Sequence, residues 1–205
     1  PAELRGFRAA HQRDGKAMVE FLCWLDQAAS APSASIAESD LVDKLLAFRQ
    51  QQDGFLVPSF NTISGSGPNG AIVHYRAIAG ADRTLASDDL LLLDSGGHYR
   101  DGTTDITRTI AIGTPPKGAV AAYSHVLQSH IHLAMAKFPA GTNGKQLDAI
   151  ARAPLWAAGL DFAHGTGHGV GHVLSVHEGP ASISKRGEVA LEAGMVLSNE
   201  PGYYQ

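Results

Sequence analysis

Residues 90–110 read LLLLDSGGHYRDGTTDITRTI: four leucines run straight into an aspartate, and a second aspartate follows eleven residues later. An ionisable group at the end of so apolar a segment must be accounted for by whatever the chain folds into. Read as strands at 88–95 and 103–112 around the loop SGGHYRDG, the stretch becomes a hairpin that centres on Tyr99 and Arg100 and pairs Asp94 with Asp105. In its second strand Asp105, Thr107 and Thr109 face one way, and Ile106, Ile110 and Ile112 face the other. Directly opposed residues have β-carbons about 4.5–5.5 Å apart, where like charges destabilise a sheet. Two resolutions are open: the pair shares a proton, or a multivalent cation is held between the two. Hard divalent ions take carboxylate oxygens, and manganese, iron, cobalt and zinc accept imidazole as well.

The rest of the pattern is α+β. Apolar residues at three-and-four spacing predict an amphipathic helix over 3–30, and a second helix over 36–51 with start signals at Pro32, Ser33 and Ser35. FLVPSFNTI and AIVHY are strand-like runs between Gly, Pro and Asn turns. Two more helices are expected at 117–138 and 144–158, before the glycine-rich strands HGTGHGVGHVLSVHEGP and AGMVLSNEPGYY. The plan of helices then strands therefore occurs twice. Cys23, inside MVEFLCWL, reads as a small core hydrophobe, and Glu3, Arg8, Arg13, Lys16 and Glu20 as solvated helix surface. His98, Tyr99 and Arg100 read as an exposed loop tip, and the phase of Arg108, opposite to Asp105, takes it away from a metal.

With 205 residues and 44% hydrophobic content, the chain can build one large core or two small ones. A net charge of −4, without a basic stripe, excludes a nucleic-acid partner. No apolar run is long enough for a membrane span, and the first residues lack a signal peptide's charged-then-apolar order, so a cytoplasmic location is expected.

Two glycine patterns invite wrong readings. GSGPNG at 65–70 matches the dinucleotide fingerprint, but Pro68 interrupts it and no helix is expected after it, so it reads as a turn between strands. His164, His168 and His172 are spaced four apart, as in helical zinc sites. The nonapeptide HGTGHGVGH holds four glycines, however, and each costs a helix about 1 kcal/mol relative to alanine. Extended backbone is expected instead. It leaves His168 in a glycine-rich strand and Glu200 at the end of MVLSNE as further candidates for a metal. Taken singly, a lone histidine or a strand-end glutamate is more often structural.

Together, NGAIVHY, the 90–110 stretch, HGTGHGVGHVLSVHEGP and SNEPGYY make the sequence resemble the pita-bread metallopeptidases, and among them the aminopeptidase P (Xaa-Pro aminopeptidase) group. The resemblance covers nearly the whole chain. It implies two pseudo-symmetric helix/strand halves around a curved antiparallel sheet. It also implies a metal-dependent aminopeptidase acting on peptides with proline in second position, with two divalent ions, manganese first and zinc or cobalt as alternatives. By resemblance Asp94 holds one ion, Asp105 bridges both, and His168 and Glu200 hold the other. His74 and His177 match catalytic and substrate-binding histidines, and His164 matches a substrate-binding histidine near the proline pocket. A homodimer is also implied.

The fifth ligand of that family is a second glutamate, expected beyond Gln205. Residues 1–205 are therefore expected to be a pita-bread catalytic domain short of its C-terminal end, with further domains ahead of Pro1, which puts the activity of the chain by itself in question. The rival readings are a prolidase or methionine aminopeptidase on the same fold, and a non-enzymatic peptide-binding module. The metal-free creatinase type is disfavoured by the four retained ligands.

Overall fold

The computed structural model describes residues 2–30, 35–173 and 175–205. Its contacts separate the chain into two compact units, Pro1–Pro116 with His172–Leu174, and Lys117–Gly171 with Ser175–Gln205. Among the described residues no helix is long and apolar enough to cross a membrane.

The first unit opens with α1 (Ala2–Ala29) and α2 (Glu38–Gln50), close to the expected spans. The expected start signals Pro32 and Ser33 lie outside the described residues. α2 begins after Ala37, whose N–H donates to the Asp40 carboxylate at 2.8 Å. The Asp82 carboxylate accepts the Ser39 N–H at 2.6 Å. These bonds satisfy first-turn donors that a helix leaves unpaired, and those from Ser39 hold Asp82 below the usual carboxylate range. Met18, Phe21 and Leu25 of α1 and Leu41 and Leu45 of α2 pack on Leu91, Leu93 and Ile112. Cys23 is exposed, contrary to the sequence reading. It follows Phe21 by two positions, roughly 200° around the helix from the buried stripe.

Strands β1 (Phe55–Pro58), β2 (Ile63–Ser66), β3 (Leu90–Ser95), β4 (Gly97–Tyr99), β5 (Gly102–Thr103) and β6 (Ile106–Ala111) form two three-stranded antiparallel sheets, ordered β2-β3-β6 and β1-β4-β5. The expected hairpin register is wrong by two residues: Asp94 lies opposite Thr107, and Asp105 precedes β6. The cause is the tip. Instead of closing a simple hairpin, 97–103 folds onto β1 as its own sheet, with His98 opposite Thr103 and Tyr99 opposite both Gly102 and Phe55. Gly96 permits the switch between sheets, because a β-carbon there would collide with the Thr104 carbonyl.

Of the expected exposed tip, Arg100 is exposed and His98 half-buried, but Tyr99 is corrected. Tyr99 is fully buried, and its hydroxyl donates to Asp14 at 2.8 Å. Burial, reinforced by the Asp14 charge, pushes the phenol far above its ordinary pKa, while burial moves His98 down. Arg13, expected in solvent, stacks over the Tyr99 ring and pairs with Asp101. Asp14 is the hub: it accepts from Arg49 Nε (2.7 Å) and Nη2 (3.0 Å), from Tyr99, and from Thr104 Oγ1 (2.9 Å).

AIVHY is not a strand. A 3-10 turn over Gly67–Ala71 carries Pro68 near its start, and His74 adopts a left-handed conformation, φ 59°, that breaks any extended run. The fingerprint at 65–70 is thus strand end and turn, as its proline implied.

The second unit contains α3 (Ala119–Met135), α4 (Gly144–Ala157) and the two-residue strands β7 (Gly167–His168) and β8 (Ser182–Ile183). Asn143 caps α4: its side chain accepts the Gln146 N–H, and the Gln146 side chain accepts the Asn143 N–H in return. Leu133, Leu147, Ala151 and Ile183 form the core. Among the described residues MVLSNE makes one bridge, Gly169 with Leu197, in place of the expected strand.

Replacing Asp14 with alanine strands the buried Arg49 guanidinium and is expected to lower stability by about 3–5 kcal/mol in urea unfolding. Lys16→Ala, on the exposed face of the same helix, is expected to change it by less than about 0.5 kcal/mol.

Candidate metal and substrate site

Within the first unit, Asp94 and Asp105 are both half-buried. Asp94 sits on the face of β3 opposite Leu91 and Leu93, which point into the core. Its partner across the ladder is Thr107, so the two-residue slip makes Asp105 a diagonal neighbour while keeping the same phase. The residue before Asp105 is Thr104, fully buried and tied both to Asp14 and to the Gly97 N–H. That anchor fixes where the chain leaves the small sheet and enters β6. Arg108 is exposed, and its guanidinium turns back to the Thr107 carbonyl. His74 is exposed on the segment after the 3-10 turn.

In the second unit, residues 166–170 run beside 196–200. The Val170 N–H donates to Val196 O at 3.0 Å, Ser198 N–H to His168 O at 2.9 Å, and Glu200 N–H to Thr166 O at 2.8 Å. Gly167 is required here, since a β-carbon would strike the Ser198 carbonyl. This ladder puts His168 Nε2 at 3.1 Å from Glu200 Oε1. The His168 Nδ1 lies 2.9 Å from the Gly169 carbonyl, which can only accept, so Nδ1 carries a proton. In the neutral ring Nε2 is then an acceptor, facing a carboxylate that is also an acceptor. Such a pair needs a cation between its lone pairs: a proton, making the ring imidazolium, or a metal ion. The donor set fits a metal. A backbone carbonyl on the far nitrogen is the usual partner of a metal-ligating histidine.

Glu200 also accepts the Ser198 hydroxyl at 2.8 Å. Burial raises its carboxyl, but hydrogen bonds from His168 and Ser198 and the charges of His168 and His164 outweigh burial, so the group lies below the usual carboxylate range. The His177 ring stands nearly perpendicular to that of His168, with centroids 4.0 Å apart. His164 lies between Phe162 and Tyr204, at centroid distances of 4.9 and 5.4 Å. Its Nδ1 donates to the Gly165 carbonyl, which leaves Nε2, in the neutral ring, to accept the Tyr204 hydroxyl at 2.8 Å. The backbone of the same segment is held by Arg152, which donates to the Phe162 and His164 carbonyls. His172, the third member of the histidine series, belongs to the first unit: it packs against Phe7, and its Nε2 donates to the Asp101 carbonyl at 2.9 Å.

The expected residues of the second unit, His164, His168, His177 and Glu200, are thus grouped, and so are Asp94 and Asp105 in the first. Sequence reasoning missed Ser198 and Tyr204. Both lie in the SNEPGYY stretch, yet neither residue type by itself signals a contact with a carboxylate or an imidazole.

Residues 5–205 match the model of metallopeptidase family M24. The chain is 50% identical to aminopeptidase P2 of Arabidopsis thaliana, over 100% of this chain and 29% of that protein. It is 51% identical to a probable Xaa-Pro aminopeptidase P of Laccaria bicolor, over 98% and 32%. Among solved structures it resembles the X-prolyl aminopeptidase of Caenorhabditis elegans, described as a cytosolic enzyme with a di-nuclear active site. The TM-score is 0.94 and the identity 47%, over 99% of this chain and 33% of that one. A Xaa-Pro dipeptidase from Bacillus anthracis follows at TM-score 0.85 and 30% identity, with 99% and 54% covered. The chain spans about a third of the length of these curated relatives, and its fold is the α+β pita-bread fold.

If Ser198 orients Glu200 for a metal, Ser198→Ala in the full-length protein is expected to weaken Mn2+ binding about ten-fold or more by titration calorimetry. An unchanged affinity would reduce Ser198 to a backbone fastener.

Proposed function

The chain belongs to metallopeptidase family M24, and from that premise we propose that it carries the catalytic chemistry of an Xaa-Pro aminopeptidase, releasing the N-terminal residue from peptides with proline in second position. The observation that carries the reading is the His168–Glu200 pair, two acceptors at 3.1 Å with the far imidazole nitrogen already committed to a carbonyl. Asp94, Asp105, His168 and Glu200 are the residues that would hold two divalent ions. Three carboxylates and one imidazole suit manganese, with zinc or cobalt as alternatives. Bound there, the ions would supply Lewis-acid activation of the attacking water and of the scissile carbonyl.

The remaining roles belong to the chain's own side chains. Gly169 holds His168 in the tautomer that presents Nε2. Glu200, oriented by the Ser198 hydroxyl, offers its carboxylate to the same cation. His74 and His177 offer imidazole N–H groups to the carbonyl oxygen as it gains charge. The substrate's α-ammonium is drawn to the acidic residues. A proline in second position has no N–H and a φ near −65°, so it is recognised by shape. The rings of His164 and Tyr204 provide an aromatic surface for that ring. The worm relative is described as cytosolic, and a cytoplasmic location, with a homodimeric state, completes the reading.

The test is cleavage by the Mn2+-loaded full-length protein. Release of the first residue from an Xaa-Pro tripeptide or longer peptide is expected, with both cleavage and calorimetric binding of two ions lost in Asp105→Ala. Cleavage confined to dipeptides would replace this reading with a prolidase. Peptide binding that survives Asp105→Ala, without any cleavage, would replace it with a binding module.

A further inference from the structure

Glu38, the first residue of α2, is fully buried. The groups that reach its carboxylate are neutral. Oε1 accepts the Ser66 N–H at 2.6 Å and the Ser66 hydroxyl at 3.1 Å. Oε2 accepts the Tyr75 hydroxyl at 2.7 Å and the Arg83 N–H at 3.1 Å. The Asn69 amide reaches both oxygens, at 3.1 and 3.0 Å, and lies 2.9 Å from the Tyr75 oxygen. The Glu38 N–H itself donates to the Arg83 carbonyl at 2.9 Å. A single carboxylate therefore grips the chain at residues 66, 69, 75 and 83.

Between the second and third of those grips lies His74. Its left-handed φ of 59° is unfavourable for a residue with a β-carbon. Such conformations persist where the surroundings over-determine them, and they gather at working sites. The neighbouring Ile72 and Val73 are 51% and 54% exposed, so side-chain packing around them does not hold the turn. The turn is held by hydrogen bonds on either side: Ile72 N–H to Asn69 O at 3.1 Å, Tyr75 N–H to Ile72 O at 3.0 Å, and the two side chains that reach Glu38. Burial first, then Glu38, pushes the Tyr75 phenol up to about 12, so it stays a donor throughout the neutral range.

We propose that Glu38, acting through Asn69 and Tyr75, is a positioning residue that holds His74 in its left-handed conformation and aims its imidazole at the substrate. This rests on the reading of His74 as a substrate-side histidine. A network that merely caps α2 would affect stability alone; a positioning network acts on the reaction through His74.

The experiment is a double-mutant cycle on Xaa-Pro peptide cleavage by the Mn2+-loaded full-length protein, with Tyr75→Phe, His74→Ala and their combination. Tyr75→Phe keeps the ring and removes the bond to Glu38. It is expected to lower kcat at least about ten-fold with little change in KM, to leave Mn2+ affinity unchanged, and to cause no further loss when His74 is already alanine. Asn69→Ser, run through the same cycle, decides the matter if Tyr75→Phe does not fold. Undiminished kcat in these variants overturns the proposal, as does the same loss with and without His74. Full activity of His74→Ala overturns the reading of His74 itself, and is told apart because it needs no Tyr75 variant.

Discussion

The buried carboxylate of Asp14 sets the geometry of the first unit. An aspartate in the middle of a helix, out of water, is tolerable only if its charge is matched and its lone pairs are filled. Arg49 supplies the charge from α2 with two hydrogen bonds, and the hydroxyls of Tyr99 and Thr104 fill the remaining positions. One charge therefore binds both helices to the small sheet. Because Thr104 is among the groups held, the start of β6 and the backbone of Asp105 inherit that fixed position.

The second unit solves a similar problem with different residues. Asp148 and Arg152 are buried together on α4, with Arg152 Nε 2.9 Å from Asp148 Oδ2. The other Asp148 oxygen accepts the Thr166 hydroxyl at 2.6 Å. Thr166 stands two residues before His168, as Thr104 stands one before Asp105. In both units a helix-borne Asp–Arg pair holds a threonine beside a candidate ligand. Such pairs give little net stability against apolar replacements; what they supply is a defined position for the segment that follows. Glu38 extends the same economy without an arginine, using a helix N-terminus and neutral donors to hold the His74 segment.

Periodicity made the four long helices and the apolar strand β3 legible, because burying one face of a helix or strand imposes a repeat that sequence displays. The phase of Asp94 relative to the leucines was readable for the same reason. Asp105's partner was not, since a register depends on how the tip closes, and this tip closes by pairing with β1, more than thirty residues earlier. Tyr99 and Arg13 were read as surface because their partners, Asp14 for Tyr99 and Asp101 for Arg13, are distant in sequence. AIVHY has the composition of a strand, but hydrogen bonds to Glu38 on both sides of His74 override that preference.

The sequence by itself determined the α+β plan, the inventory of carboxylates and imidazoles at the ends of apolar or glycine-rich runs, and, through those motifs taken together, the metallopeptidase family. Residue type and local spacing suffice for these, since both are properties of short stretches. The tertiary structure alone decided the two-residue slip at Asp94, the facing of His168 Nε2 and Glu200, the tautomer of His168, and the anchoring of each ligand segment by a buried acid. The slip, the facing and the anchoring depend on contacts between groups far apart along the chain, and the tautomer on how the backbone turns the Gly169 carbonyl toward His168 Nδ1; no local pattern records these until the backbone has folded.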